Sequence, residues 1–252
     1  MEWLSTLHFT PLAWACMWVG VAAAYVVFGM AGFGTALVAG PVLVCFMPLA
    51  RIMPLLVVLD FIAALGNLLP SRKAVAGGEL IRLLPCMAIG CTLGVIFLLN
   101  LHSQWLVLLM GLFLSAYAFY SLWVKSRPRS LAAIWALPTG VVGGVFGALF
   151  GSGGFLYAIY LNARLAKEPA RATQSALISC SAVVRLTLFI TAGVYAQGSL
   201  LVLAGLLLPA MALGLWMGRR LTLNMPRERF IRLVNIVVLL SGLALIGRYL
   251  GA

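Results

Sequence analysis

Asp60 and Arg185 are the residues with the clearest capacity for chemistry. Each carries a charge inside an apolar run, Ile52 to Leu69 and Ala172 to Ala192. A charge inside a membrane-length apolar segment is expensive and by default points to function. Arg185 could attract an anion. Asp60 could be a proton-coupling group, because neutralising it would free Arg185 for a substrate. At the helical rise, Asp60 lies about 13 Å below Arg51 and Arg185 about 10 Å below Ala192. The matching depths allow an ion pair that only fixes helix register. An Arg185 that snorkels outward is a further structural reading. Gln174, Ser181 and Arg185 fall at i, i+7 and i+11 on one helix face, and Asp60 shares a face with Asn67. Such strips could line an aqueous path, although hydroxyls in membrane helices also bond backbone or neighbouring helices.

The elements that would position these residues contain two glycine-rich breaks. The first is Gly29-Met30-Ala31-Gly32-Phe33-Gly34-Thr35, followed by Gly40-Pro41. The second is Gly143-Gly144, Gly147 and Gly151-Ser152-Gly153-Gly154-Phe155. Glycine disfavours a helix interior by roughly 1 kcal/mol relative to alanine. Inside a bilayer, the freed N–H and C=O groups must also find partners. Breaks at corresponding places in two halves of a chain point to a transporter's binding site. The start of the helix after each break offers N–H groups and a positive dipole end to an anion. The candidates are Gly34, Thr35, Gly151, Ser152, Gly153 and Gly154. The upstream glycines Gly140, Gly143, Gly144 and Gly147 have the spacing of close helix packing. Tyr157 could hydrogen-bond substrate oxygens, whereas Tyr160 reads better as an interfacial anchor.

Composition restricts the class. Of 252 residues, 64% are hydrophobic and 9% charged, and the mean hydropathy is +1.12. A soluble domain of this length could not hide that much apolar surface, so a polytopic membrane protein is expected. The net charge of +12 reads as basic residues at helix ends rather than a nucleic-acid surface. Met1 to Thr10 carries Glu2 and no basic run, which speaks against a cleaved signal peptide. The five cysteines lie in apolar segments without paired spacing, and His8 and His102 are the only histidines. Neither a metal site nor a cofactor is expected. With no histidine at depth and no nucleophile–base pair, an enzyme is not expected either.

Basic loops decide between two topologies. The short piece Thr35 to Met47 gives about 20 Å of helix against about 30 Å of hydrocarbon. Each break is therefore either one long interrupted crossing or a re-entrant hairpin. As crossings, they scatter the basic loops over both faces. As hairpins, they bring the loops at Arg72, Lys125, Arg164 and Arg219 to one face. That leaves Arg51, Arg185 and Arg248 as the only Lys or Arg not assigned there. The positive-inside rule favours hairpins, with both termini outside the cytoplasm. Each half then holds a hairpin and three spans, the odd count that inverts one half relative to the other.

At these residues the chain resembles the TauE/SafE family of sulfite and organosulfonate exporters. The resemblance rests on Gly32-Phe33-Gly34-Thr35 with Gly40-Pro41. In the second half it rests on Gly151-Ser152-Gly153-Gly154, Tyr157 to Tyr160-Leu161, and Arg171-Ala172-Thr173. Thr35 stands where the family usually has glycine. The resemblance implies a carrier of sulfite, sulfoacetate or a related small anion.

The expected fold is an all-α polytopic membrane protein built as a single membrane domain over residues 1–252. Two inverted repeats, about 10–125 and 131–252, would each hold a glycine-broken hairpin and three transmembrane helices. The expected function is secondary export of small anions across the inner membrane by alternating access. The partners would be the anion, the bilayer and a coupling proton, with no nucleic acid. An anion channel, or a carrier of another small carboxylate or oxyanion, is the alternative. The last expected span is Phe230 to Leu250.

Overall fold

The computed structural model describes residues 10–123, 131–196, 198–224, 239 and 242–243. Among the described residues the chain is helical, with no strand. The helices are α1 (Pro11–Ala31), α2 (Thr35–Leu43), α3 (Leu49–Ser71), α4 (Gly77–Asn100) and α5 (Ser103–Trp123). They continue with α6 (Ala136–Phe150), α7 (Gly154–Arg164), α8 (Lys167–Thr191) and α9 (Ser199–Asn224). Among the described residues, six segments are long and apolar enough to cross a membrane: those of α1, α3, α4, α8 and α9, and Ala133–Phe150, which contains α6. The span expected at Phe230 to Leu250 falls outside the described residues, apart from 239, 242 and 243.

Local chemistry sets the ends of the first helix. Thr10 accepts a hydrogen bond from the Ala13 N–H at 3.3 Å, and Pro11 occupies the first turn, where a missing N–H does no harm. Gly32 ends the helix in the left-handed region, its N–H bonded to the Phe28 carbonyl. The C-terminus of α6 ends the same way at Gly151. Both stops lie inside apolar sequence rather than at a surface loop.

Close packing follows glycine. A methyl on Gly214 would overlap the Ala22 carbonyl, and one on Gly218 the Val26 carbonyl, so α1 and α9 run parallel with their backbones nearly touching. The same seam joins α4 and α6, where Gly144 lies against the Met87 carbonyl and Gly90 against that of Val141. Close approach of this kind replaces the hydrophobic drive that helices lack among lipid tails. Gly140 and Gly144 therefore serve helix packing.

Between the seams, α3 and α8 run antiparallel. The Tyr195 hydroxyl donates to the Pro54 carbonyl at one end, and the Ala76 N–H donates to Thr173 Oγ1 at the other. The short helices lie back along their predecessors. Gly20 of α1 faces the Val42 side chain of α2, and Gly143 of α6 faces the Tyr157 ring of α7.

Several basic elements meet at one end of the bundle. Glu79 accepts from Arg82 at 2.8 Å, Arg164 at 3.0 Å and the Tyr160 hydroxyl at 2.8 Å. Arg164 also donates to the Leu131 carbonyl, and Arg219 reaches Gly66 near the end of α3. This corrects the reading of Tyr160 as an interfacial anchor. Its side chain is buried because Glu79, in the first turn of α4, gives its hydroxyl an internal partner.

Candidate functional site

The two glycine breaks meet. Gly32 and Gly34 adopt left-handed conformations, with φ of 81° and 94°, and Gly151 has φ of 60°. An L side chain at such a position costs about 1–2 kcal/mol, so glycine is what lets the chain turn here. A Cβ on Gly151 would come 2.7 Å from the Ala36 Cβ, and one on Gly154 2.5 Å from the Phe33 Cβ. The tips touch because side chains are missing from the second one. Neither α2 nor α7 has a side-chain cap on its first turn, although both helix starts are buried.

A cavity of about 20 Å³ lies where the tips meet, room for about one water molecule. Thr35, Gly151, Gly153 and Gly154 line it from the breaks. Asp60 reaches it from α3, Tyr157 from α7, and Ser181 and Arg185 from α8, while Phe28, Phe33 and Ile178 close it with apolar surface.

The two charges are each 4% exposed and are held differently. Asp60 accepts from the Tyr25 hydroxyl at 2.9 Å and from Thr35 Oγ1 at 3.2 Å. Arg185 donates from Nη1 to the Gly147 carbonyl at 2.8 Å and from Nε to the Ser181 carbonyl at 3.3 Å. Gly147 lies in the last turn of α6, at the negative end of its dipole, and its carbonyl already accepts from the Gly151 N–H at 3.1 Å, so the guanidinium adds a second donor at that helix end. The direct Asp60–Arg185 salt bridge anticipated from depth does not form; among the described residues, the salt bridges are those of Glu79 with Arg82 and Arg164. Hydroxyls hold the carboxylate and carbonyls hold the guanidinium, so the charges share a cavity without pairing.

Among the described residues, two buried hydroxyls have no partner. Ser152 Oγ and Tyr157 Oη are buried and make no hydrogen bond, and both residues are 1% exposed. A buried hydroxyl left unsatisfied costs about 1–3 kcal/mol. Tyr157 lies on the cavity wall and Ser152 in the turn beside it.

The remaining candidates are placed differently. Gln174 is buried and donates from Nε2 to the Gly154 carbonyl at 3.1 Å, tying α8 to the start of α7 rather than lining the cavity. Gly34 sits one residue outside the lining as the residue before α2. The side chain of Asn67 lies outside the described residues. The sequence reading missed Tyr25 altogether. Its signal was a phenol seven residues before Gly32 in an apolar run, where the hydroxyl must find an internal partner. It also missed Phe28 and Ile178, which are apolar residues in apolar helices and carry no signal. Cys91 lies behind the wall, its Sγ 3.5 Å from Ser181 Oγ.

Six membrane-length helices and this composition define a multi-pass membrane protein. The model of the family described as sulfite exporter TauE/SafE matches residues 16–245, and the chain belongs to that family of membrane transporters. No curated protein and no solved structure matches it.

Proposed function

We propose that the chain is a secondary carrier exporting a small anion such as sulfite or an organosulfonate. The anion would seat at the second tip, with its oxygens on Ser152, Tyr157 and Arg185 and on the N–H groups that begin α7. The observation that carries this reading is the pair of buried, unpartnered hydroxyls beside a buried guanidinium. An acceptor with several oxygens satisfies all three donors.

The architecture that fits is a pair of inverted repeats, each opening with a re-entrant hairpin. Three observations support it. The short helices lie along their predecessors, as Gly20 with Val42 and Gly143 with Tyr157 indicate. The pairing of α1 with α9 repeats as the pairing of α6 with α4, as a pseudo-twofold relation demands. The basic segments around Arg82, Arg164 and Arg219 gather at one end, which the positive-inside rule assigns to the cytoplasm. Thr35 touches Asp60 near the middle of α3, which supports a first tip about halfway along that span. Alternating access would part the tips towards one side and then the other.

The test is flux of labelled sulfite and labelled methanesulfonate in proteoliposomes, with Gly153→Leu as the variant. Its side chain would collide with the Gly143 carbonyl and the Gly147 backbone. Flux should fall to that of protein-free liposomes while detergent-solubilised protein keeps its elution profile. Undiminished flux of both anions would remove the second tip from the transport path.

A further inference from the structure

The first tip poses a separate question: why a carboxylate shares the small cavity proposed for an anion. This inference rests on that binding reading and concerns what must accompany the anion. We propose that Asp60 takes up one proton whenever a monoanion seats beside Arg185, so that proton and anion cross together, one to one and without net charge.

Electrostatics favours this coupling. Each tip joins the C-terminus of one helix to the N-terminus of the next, at Gly32–Thr35 and at Gly151–Gly154. The negative end of one dipole thus lies beside the positive end of the other, and the two largely offset each other. What remains are the formal charges of Arg185 and Asp60, opposite in sign and both on the cavity wall. A seated monoanion would put a second negative charge in the space that Asp60 already faces. Two negative groups confined together do not both stay ionised; one takes a proton. A sulfonate is a very weak base, so the proton goes to Asp60. By reciprocity, a protonated Asp60 favours the anion as much as the anion favours the proton.

The partners of Asp60 point the same way. Asp60 is held by two hydroxyls, Tyr25 Oη and Thr35 Oγ1. Backbone N–H groups or a salt-bridged cation would satisfy the ionised carboxylate only. A hydroxyl can donate to a carboxylate and, turned about its C–O bond, accept from a carboxylic acid. The same two partners therefore serve both protonation states without moving a helix.

The other elements near Asp60 leave this cycle intact. Arg185 from α8 and Tyr157 from α7 share the cavity wall with it. From α4, Cys91 stands behind Ser181. From α9, Arg219 reaches α3 at Gly66, more than a turn beyond Asp60. Tyr195, past the end of α8, is engaged with the Pro54 carbonyl. The sign of the coupling follows: proton and anion bind together, so this is cotransport and not exchange. Outward flux then runs down the substrate's own gradient and carries acid with it.

The experiment measures the steady accumulation of labelled methanesulfonate in proteoliposomes, an anion that stays ionised at the pH values used. Labelled sulfite serves as a second probe. Accumulation should change about tenfold per unit of imposed pH difference. It should not respond to a potassium–valinomycin potential of about 59 mV, which would move an uncoupled monoanion tenfold. Asp60→Asn should reverse this pattern, ignoring pH and following voltage, and Asp60→Glu should keep the wild-type behaviour. Wild-type accumulation that follows voltage and ignores pH would overturn the coupling while leaving the binding site standing. Absence of flux for both anions would overturn the binding site itself. The wild-type measurement decides the matter even if the Asn variant does not fold.

Discussion

The two tips are built from similar glycines but use them differently. At the first, Gly32 has open space around it and Gly34 meets only ordinary contacts; their glycine identity answers to left-handed backbone angles. At the second, Gly153 and Gly154 have no such angle, and their glycine identity answers to crowding by the Gly143 carbonyl and Phe33. The polar groups differ too. Asp60, Thr35 and Tyr25 satisfy one another at the first tip, whereas Ser152 and Tyr157 at the second have no partner. A closed hydrogen-bond set has little left to offer a ligand; an open one does. Under the proposed function, the contrast fits a coupling role for the first tip and a binding role for the second.

The largest expected effect tests the binding half. Arg185→Ala removes the guanidinium's hydrogen bonds to the Gly147 and Ser181 carbonyls, each worth about 1.5–3 kcal/mol as a bond to a charged group, and takes the positive charge off the cavity wall. Sulfite flux in proteoliposomes should fall to background. Arg185→Lys should recover part of it, since a point charge replaces a fork of donors. Recovery to wild-type flux in the Ala variant would place binding elsewhere.

Next comes a pair of alanine substitutions that separates the two uses of glycine. Gly34→Ala should lower stability by about 1–2 kcal/mol, the left-handed penalty, with flux reduced no more than stability explains. Gly153→Ala meets no backbone penalty, since its φ is −54°. Its methyl would overlap the Gly143 carbonyl, so flux should fall by an order of magnitude or more. Thermal melting in detergent, measured beside flux, decides it; equal behaviour of the two variants would erase the distinction.

Much of this was legible from residue types. Charge and glycine inside apolar runs marked Asp60, Arg185 and both breaks, because each is costly there without a reason. Hydropathy marked the membrane helices for the same reason. The partners of the charges were not legible. Depth along two segments is one coordinate, and pairing needs three; Asp60 and Arg185 match in depth yet bind a phenol and a helix end. Tyr25, one phenol in an apolar helix, becomes a partner of Asp60 only once α1 lies beside α3. Gln174 shared a helix face with Arg185 as expected, but a face is wider than a cavity, and its amide reaches the Gly154 carbonyl instead.

A third comparison sets one phenol against the other. Tyr25→Phe removes a donor from a buried carboxylate and should cost about 1.5–3 kcal/mol of stability, the range for hydrogen bonds to charged groups. It should also disturb the pH dependence of accumulation. Tyr157→Phe removes a hydroxyl that bonds nothing. Melting should stay put or rise, while the KM for the anion rises about tenfold, equivalent to about 1.4 kcal/mol. Equal destabilisation by both substitutions would mean that Tyr157 has a structural partner in the unliganded protein.

The smallest effect is the sharpest test of the second tip. Ser152→Ala deletes one oxygen from a residue 1% exposed whose Oγ has no partner. If the hydroxyl served the fold, its loss would lower the melting temperature. If it waits for an anion, the unliganded protein should stay within about 0.5 kcal/mol of wild type, the usual range for a change that breaks no contact. The difference should emerge with ligand present. Saturating sulfite stabilises whatever binds it in proportion to the logarithm of ligand over Kd. A threefold to tenfold weaker site, about 0.6–1.4 kcal/mol, therefore shows as a smaller ligand-induced rise in melting temperature. Equal rises in variant and wild type would remove Ser152 from the site. A lower melting temperature without sulfite would return it to the fold.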